Sequence, residues 1–195
     1  MTRFTLPAYL ALTVACPPLS AQVEYDIPDS LAYLDLPRDP AEFVRMVQRT
    51  EHDPGLMLEM GCPSTNAWVA AVADGLEKAM DADGTLRNGY ALVWRHAMGR
   101  CPEDKARFEN WLLGWLRKDY AAEIEGRPFT TTSILRALAL STNPEVYALT
   151  RDMTLDTRLT RATRELAANI ARRGGLVCGE HNLENFMAWR RCDEG

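Results

Sequence analysis

The chain has 195 residues, 47% of them hydrophobic, which is enough for one domain with its own core. Acidic residues outnumber lysine and arginine by 27 to 22, and the resulting net charge of −5 argues against nucleic acid as a partner. Beyond the first 21 residues, no run is long and apolar enough to predict a transmembrane helix.

The first residues have the pattern of a secretory signal peptide. Arg3 precedes an apolar run of about a dozen residues, and small residues follow up to Ala21. We expect cleavage after Ala21, so that 1–21 is a signal peptide and the mature protein is periplasmic or secreted. A second interpretation is a lipoprotein signal, in which Thr13-Val-Ala-Cys16 is a degenerate lipobox and Cys16 carries a lipid anchor.

The cysteine content supports export. Removal or lipidation of Cys16 leaves an even set that suits two disulfides in an oxidising compartment, namely Cys62, Cys101, Cys178 and Cys192. No Cys-x-x-Cys motif is present, so a thioredoxin-like site and a c-type haem attachment lack their signature. We therefore predict no cofactor and no metal centre.

The rest of the chain is predicted to be helical. Residues 22–39 are acidic and interrupted by proline, and we expect an extended acidic arm there. From 40 to 195, helix caps and apolar residues at helical spacing predict a single helical domain. The predicted helices cover about 40–51, 54–60, 64–81, 86–99, 102–125, 134–140, 144–153, 155–170 and 182–191.

The predicted fold class is therefore all-α, with about eight or nine short helices. No segment alternates apolar and polar residues over a length typical of a strand. Short helices bury their apolar faces only against neighbours, so we expect antiparallel hairpins. Two arrangements are open, an orthogonal bundle or a short α-solenoid-like stack.

One short motif occurs twice. Cys62-Pro63 and Cys101-Pro102 each precede a helix, and the apolar residues that follow lie at matching offsets from the two prolines. These residues are Val69, Val72, Ala73 and Leu76 in the first copy, and Phe108, Trp111, Leu112 and Trp115 in the second. The chain thus uses one cysteine-anchored helix start twice.

Helix geometry favours one disulfide pairing. A helix that leaves Cys62 and a second one that returns bring Cys101 close to Cys62. Cys178–Cys192 then follows by elimination, although the crossed pairings remain open. A helix over 182–191 would make this second bond less direct, because the preceding loop would have to fold back along it.

Candidate site residues are few. His181 and Glu184 are three residues apart at a predicted helix start, where both could face one metal or substrate, or could simply be surface residues at a helix N-terminus. His96 lies two residues before Met98, and with His52 and Met57 it offers ligands that copper prefers, although methionine at helical spacing usually fills a core.

Two further patterns have a functional and a structural interpretation. The arginines between 151 and 173 could bind an anionic partner, but the solvated side of an amphipathic helix is the favoured explanation. The tryptophans could line a groove for a peptide or glycan, yet most lie on apolar faces and are expected in the core: Trp68, Trp94, Trp111, Trp115 and Trp189.

No nucleophile elbow is present, and nothing among the many acids picks out a general base. We therefore expect a non-enzymatic, exported helical interaction module that binds an envelope or secreted protein or peptide. The alternative is an envelope hydrolase with an acid or metal site involving His181 and Glu184, with His96 as a further candidate.

Overall fold

A computed structural model describes residues 25–29, 34–49, 61–128, 131–179 and 189–192. Helices make up 73% of it, and seven α-helices lie in these ranges, fewer than the eight or nine predicted. The helix predicted over 54–60 lies outside the described residues. None of the described helices is both long and apolar enough to cross a membrane.

The α-helices are α1 (Pro40–Gln48), α2 (Ala67–Ala82), α3 (Gly84–Arg100), α4 (Lys105–Ile124), α5 (Thr131–Ala137), α6 (Pro144–Leu155) and α7 (Arg161–Arg173). Single turns of 3₁₀ helix occur at Pro63–Thr65, Pro102–Asp104 and Leu138–Leu140. A short antiparallel ladder joins β1 (Val177–Cys178) to β2 (Arg190–Arg191).

Side-chain caps determine where several helices begin. Asp39 accepts a hydrogen bond from the Ala41 N–H at 2.9 Å, and Asn143 accepts one from the Glu145 N–H at 2.9 Å. In both cases proline occupies the first helical turn, where its missing N–H costs nothing. The predicted starts of α1 and α6 are confirmed.

The prediction of one helix over 155–170 is wrong. The chain turns between Leu155 and Arg161, because Glu123 Oε1 on α4 accepts the Thr160 N–H at 3.0 Å and the Thr160 hydroxyl then caps α7 by accepting a hydrogen bond from the Thr163 N–H. The predicted apolar face therefore does not exist as such, and Ala162 on it is exposed. The buried side of α7 consists of Thr163, Ala167, Ala168, Ile170 and Ala171.

The core contains the large aromatic side chains. Trp68, Trp94 and Trp115 are at most 1% exposed, as expected for core tryptophans. Trp94 stacks on Phe108 with ring centroids 5.0 Å apart, which joins α3 to α4. Of the residues at matching offsets after the two Cys-Pro motifs, all but Trp111 are buried.

Within the predicted arm, Leu36 is buried and Tyr25 and Ile27 pack against the core. The helix that follows this arm, α1, lies close to α2 at Gly75. A Cβ atom on Gly75 would lie 2.8 Å from Val44 Cγ2, so a larger residue there would push the two helices apart.

Both expected disulfides are present, with Cα atoms 5.5 Å apart in Cys62–Cys101 and 5.0 Å apart in Cys178–Cys192. The two Cys-Pro turns also bond to each other, since the Ser64 N–H donates to Asp104 Oδ2 at 3.0 Å. Beyond these turns, ion pairs join Asp74 to Arg107 and Asp81 to Lys118. Because the later residue of α2 pairs with the later residue of α4, the two helices run in the same direction.

A buried ion pair holds α3 against α4. Asp119 is 1% exposed, and its Oδ1 accepts a hydrogen bond from Arg87 Nη2 at 2.8 Å. Arg87 also donates to the carbonyl oxygens of Met80 and Asp81 in the last turn of α2. One guanidinium thus ties together three successive helices.

The prediction of a helix over 182–191 is wrong at its end. Arg190 and Arg191 form β2, which pairs with Cys178 and Val177 of β1. The reason is tertiary: the Cys178–Cys192 bond and the contact of Arg172 with the Trp189 ring at 5.6 Å hold this segment beside the end of α7. The described residues therefore contain a short ladder that the sequence pattern did not indicate.

A titratable cluster joins α4 to the turn between α6 and α7. The Tyr120 hydroxyl donates to Asp156 Oδ2 at 2.8 Å, and Arg158 Nη2 donates to the same oxygen at 2.7 Å. The Arg158 hydrogen bonds hold the pKa of Asp156 well below its usual range. Burial, followed by the hydrogen bond to Asp156, raises the pKa of Tyr120 to about 12.

Removal of either disulfide should destabilise the fold. Cys62–Cys101 closes a 39-residue separation and Cys178–Cys192 a 14-residue one. By chain entropy the two bonds are worth about 4 and about 3 kcal/mol. We expect the Cys62→Ala/Cys101→Ala variant to lose more free energy of unfolding than Cys178→Ala/Cys192→Ala in urea titrations. The reverse order would contradict this account.

Stability should depend on the Tyr120 phenol at alkaline pH. The phenol has an ordinary pKa of 10.0 and a folded-state pKa of about 12, so it stabilises the fold fully below pH 10 and loses this contribution as the pH rises to 12. Between these values, the free energy of unfolding should fall more steeply for wild type than for Tyr120→Phe. Urea unfolding at pH 8 to 9, where the difference should be constant, is the control. Equal slopes above pH 10 would exclude the effect.

Candidate functional site

Most of the predicted site residues lie outside the described part of the chain, so their arrangement stays a prediction. His181 and Glu184 lie outside the described residues, as do His52 and Met57 of the copper-type set. His96 is exposed near the end of α3, while Met98 is partly buried and contacts the core.

One cluster in the described ranges has the composition of a metal site. The ligand atoms of Cys62, Cys101 and Asp104 lie within 4.8 Å of one another. Both sulfurs, however, belong to the disulfide, and Asp104 accepts the Ser64 N–H. No thiolate is left to bind a metal, so this cluster is structural.

The arginines between 151 and 173 are engaged by the protein itself. Arg151, Arg158 and Arg161 form ion pairs with Asp152, Asp156 and Glu165. The others donate to the Thr154 and Ala139 carbonyl oxygens or lie over the Trp189 ring: Arg164, Arg173 and Arg172. This arrangement favours the solvated-helix interpretation over an anion-binding surface.

Three cavities in the described part differ in the charged residues that line them. A groove of about 510 Å³ lies between α1 and α2, and a cavity of about 350 Å³ borders Arg151, Gly175 and Cys192. In the first, Arg45 and Asp74 are already paired with Asp39 and Arg107. The third cavity, of about 220 Å³, differs because it contains a buried charge.

We call this third cavity the Glu109 cleft. It lies between the end of α3, the start of α4 and the turn that follows α5. Its lining residues are Arg95, Met98, Gly99, Lys105, Glu109, Ala137, Leu140 and Ser141. His96 does not line it.

Glu109 differs from the other buried acids near α4. Asp104 accepts the Ser64 N–H, Asp119 accepts Arg87, and Glu123 accepts the Thr160 N–H at 3.0 Å. Glu109 is also only 6% exposed, but its Oε1 has no hydrogen-bond partner among the described residues. Its nearest cation is Lys105 Nζ at 3.7 Å, one helical turn earlier. Since buried carboxylates are normally hydrogen-bonded, this oxygen identifies the cleft as a candidate binding site.

The walls of the cleft combine positive charge and apolar surface. Arg95 and Lys105 line it together with the single acid Glu109, so the lining carries a net charge of about +1 in an acidic protein. Arg95 is exposed and forms no ion pair within the described ranges. Leu140 is 63% exposed, and it and Leu92 are the exposed large hydrophobic residues of the described part.

Ser141 has a structural role in this cleft. Its Oγ accepts the Asn143 N–H at 3.1 Å, and its carbonyl oxygen accepts the Tyr147 hydroxyl at 3.0 Å. The hydroxyl thus supports the turn before α6. The lining therefore contains groups that can bind and orient a ligand rather than a nucleophile with its base.

The sequence pattern did not single out the Glu109 cleft. Glu109 follows Phe108 and precedes Leu112 by three residues, so it lies beside the apolar face of a predicted helix. An acid at that position is a signal of burial, but the sequence does not say which buried acid lacks a donor.

Comparison of the chain with protein-family models, with curated protein sequences and with solved structures found no match.

Proposed function

We propose that this protein is a non-enzymatic, exported helical interaction module, and that it binds a peptide segment of another envelope or secreted protein in the Glu109 cleft. The observation that carries the proposal is the buried Glu109 carboxylate, which borders an open cleft and lacks a hydrogen bond at Oε1. Sites for ligands typically combine apolar walls with a few polar groups that orient the ligand.

The size of the cleft favours one residue of a chain over a whole small molecule. Its volume of about 220 Å³ lies below the range of 300–1,000 Å³ that is typical of pockets for drug-sized ligands. The exposed Leu140 at its edge adds apolar surface on which a bound segment would pack. A peptide could therefore place one residue in the cleft while the rest of it lies on the surface.

Export is the proposed cellular context. Two disulfides support an oxidising compartment, and the N-terminal pattern supports a signal peptide cleaved after Ala21. Lipidation at Cys16 remains the second interpretation of that pattern.

A stack of helical hairpins is the proposed arrangement. The common direction of α2 and α4, with α3 between them in sequence, supports it over an orthogonal bundle. Such stacks bind their partners on the extended concave surface that successive hairpins form together.

The hydrolase alternative stays a prediction. It depends on His181 and Glu184, which lie outside the described residues. No observation on the described part favours it, since His96 is exposed and does not line the Glu109 cleft.

The two exposed leucines offer a matched test of the binding site. Leu140 lines the cleft and Leu92 does not, although both are exposed. We expect Leu140→Ser to weaken binding of a peptide selected from a random octapeptide pool about tenfold, because the lost apolar contact is worth about 1.5 kcal/mol. Leu92→Ser should bind like wild type. Fluorescence anisotropy with a labelled peptide measures both.

Two results would refute the proposed site. One is that the purified protein retains no octapeptide from the pool. The other is that Leu140→Ser and Leu92→Ser bind the selected peptide equally well. Circular dichroism of both variants controls for folding, which neither change of an exposed side chain should disturb.

The proposed export can be tested by the mass of the native protein. We expect the chain to begin at Gln22 and its four remaining cysteines to resist alkylation until they are reduced. Intact mass spectrometry with and without reduction measures both. A chain that begins at Met1 with free thiols would contradict export.

A further inference from the structure

We propose that the ligand of the Glu109 cleft is the C-terminal residue of a peptide, with a free carboxylate and an apolar side chain. This inference rests on the proposed function and specifies which part of a peptide binds.

The charges of the cleft require a ligand that offers both a donor and an anion. The Glu109 carboxylate needs an N–H donor, since its Oε1 has no hydrogen-bond partner in the described part of the chain. Arg95 forms no ion pair within the described ranges. Lys105 Nζ lies 3.7 Å from Glu109 Oε1 and donates to Thr142 Oγ1 at 3.4 Å, which leaves its third N–H for a ligand anion. An apolar side chain alone would satisfy neither requirement, and an acidic side chain would satisfy only the second.

The spacing of these groups matches one terminal residue. Lys105 Nζ and Glu109 Oε1 lie 3.7 Å apart, so the ligand's donor and anion must also lie close together. In a C-terminal residue, the amide nitrogen and the carboxylate carbon are both bonded to the same Cα. The terminal N–H can therefore donate to the Glu109 carboxylate while Lys105, whose side chain is 37% exposed, stays beside Glu109 and directs its third N–H to the terminal carboxylate.

The remaining walls select the side chain. Met98, Ala137 and Leu140 are the apolar lining residues. The charged lining residues, Arg95, Lys105 and Glu109, already bind the terminal carboxylate and N–H of the ligand, so none is left to pair with a polar side chain. A Cβ atom on Gly99 would meet nothing within 4 Å, so there is open space at that part of the edge for the preceding residues of the peptide. The last residue is thus apolar, and the chain leaves the cleft past α3.

Two peptide pools test the inference. Random octapeptides are synthesised with either a free C-terminal carboxylate or a C-terminal amide and are otherwise identical. We expect the wild-type protein to retain peptides from the free-carboxylate pool, enriched in apolar last residues, and at least tenfold fewer from the amidated pool.

The possible outcomes separate the inference from the proposed function. Equal retention from both pools would overturn the inference and leave peptide binding intact. Retention from neither pool would overturn both. If free leucine displaces a retained peptide at an equal concentration, the ligand is an amino acid and the assignment to a chain end is wrong.

Charge variants give a second measurement. Lys105→Met and Arg95→Met should each weaken binding of a retained free-carboxylate peptide about tenfold. Lys118→Met removes a lysine from the same helix but outside the cleft, and it should bind like wild type. An unchanged affinity in both cleft variants would exclude recognition of the carboxylate.

Discussion

The Cys62–Cys101 disulfide is the constraint on which the described structure most depends. It fixes the starts of two helices at one point, because each cysteine is followed by a proline and a 3₁₀ turn before α2 or α4 begins. From that point α2 and α4 run in the same direction, held by ion pairs along their length. The chain returns along α3, and the buried Arg87–Asp119 pair joins that helix to α4.

The proposed binding site is a consequence of the same constraint. The Glu109 cleft lies where α3 ends and α4 begins. In the sequence, the disulfide-bonded Cys101 stands between the lining residues Gly99 and Lys105. A covalent bond next to a binding site limits the movement of its walls, which reduces the entropy lost when a ligand binds. Burial of the Glu109 carboxylate is unfavourable, and the neighbouring disulfide stabilises the same region of the fold.

The buried acids of α4 differ in their hydrogen-bond partners. Asp119 and Glu123 receive hydrogen bonds from α3 and from the start of α7, so each joins α4 to another part of the fold. Glu109 Oε1 receives none of this kind from the described residues, and the side chain is buried where it lines an open cleft. A carboxylate buried without a donor lowers stability, and such a cost is typical of positions that interact with a ligand.

The sequence by itself determined the helical class and the starts of α1 and α6, and it favoured the observed disulfide partners without excluding the crossed pairings. Capping residues, first-turn prolines and apolar spacing act over a few residues, and the pairing of Cys62 with Cys101 followed from the lengths of two helices. Only the tertiary structure decided the turn at Thr160, the strand at Arg190 and the cleft around Glu109. In each case residues distant in sequence are brought together: Glu123 accepts the Thr160 N–H, Cys178 bonds Cys192, and Glu109 lines one cavity with Ala137 at the end of α5. Local spacing does not encode which distant donor reaches a buried acid, so the residue that lacks one could be identified only in three dimensions.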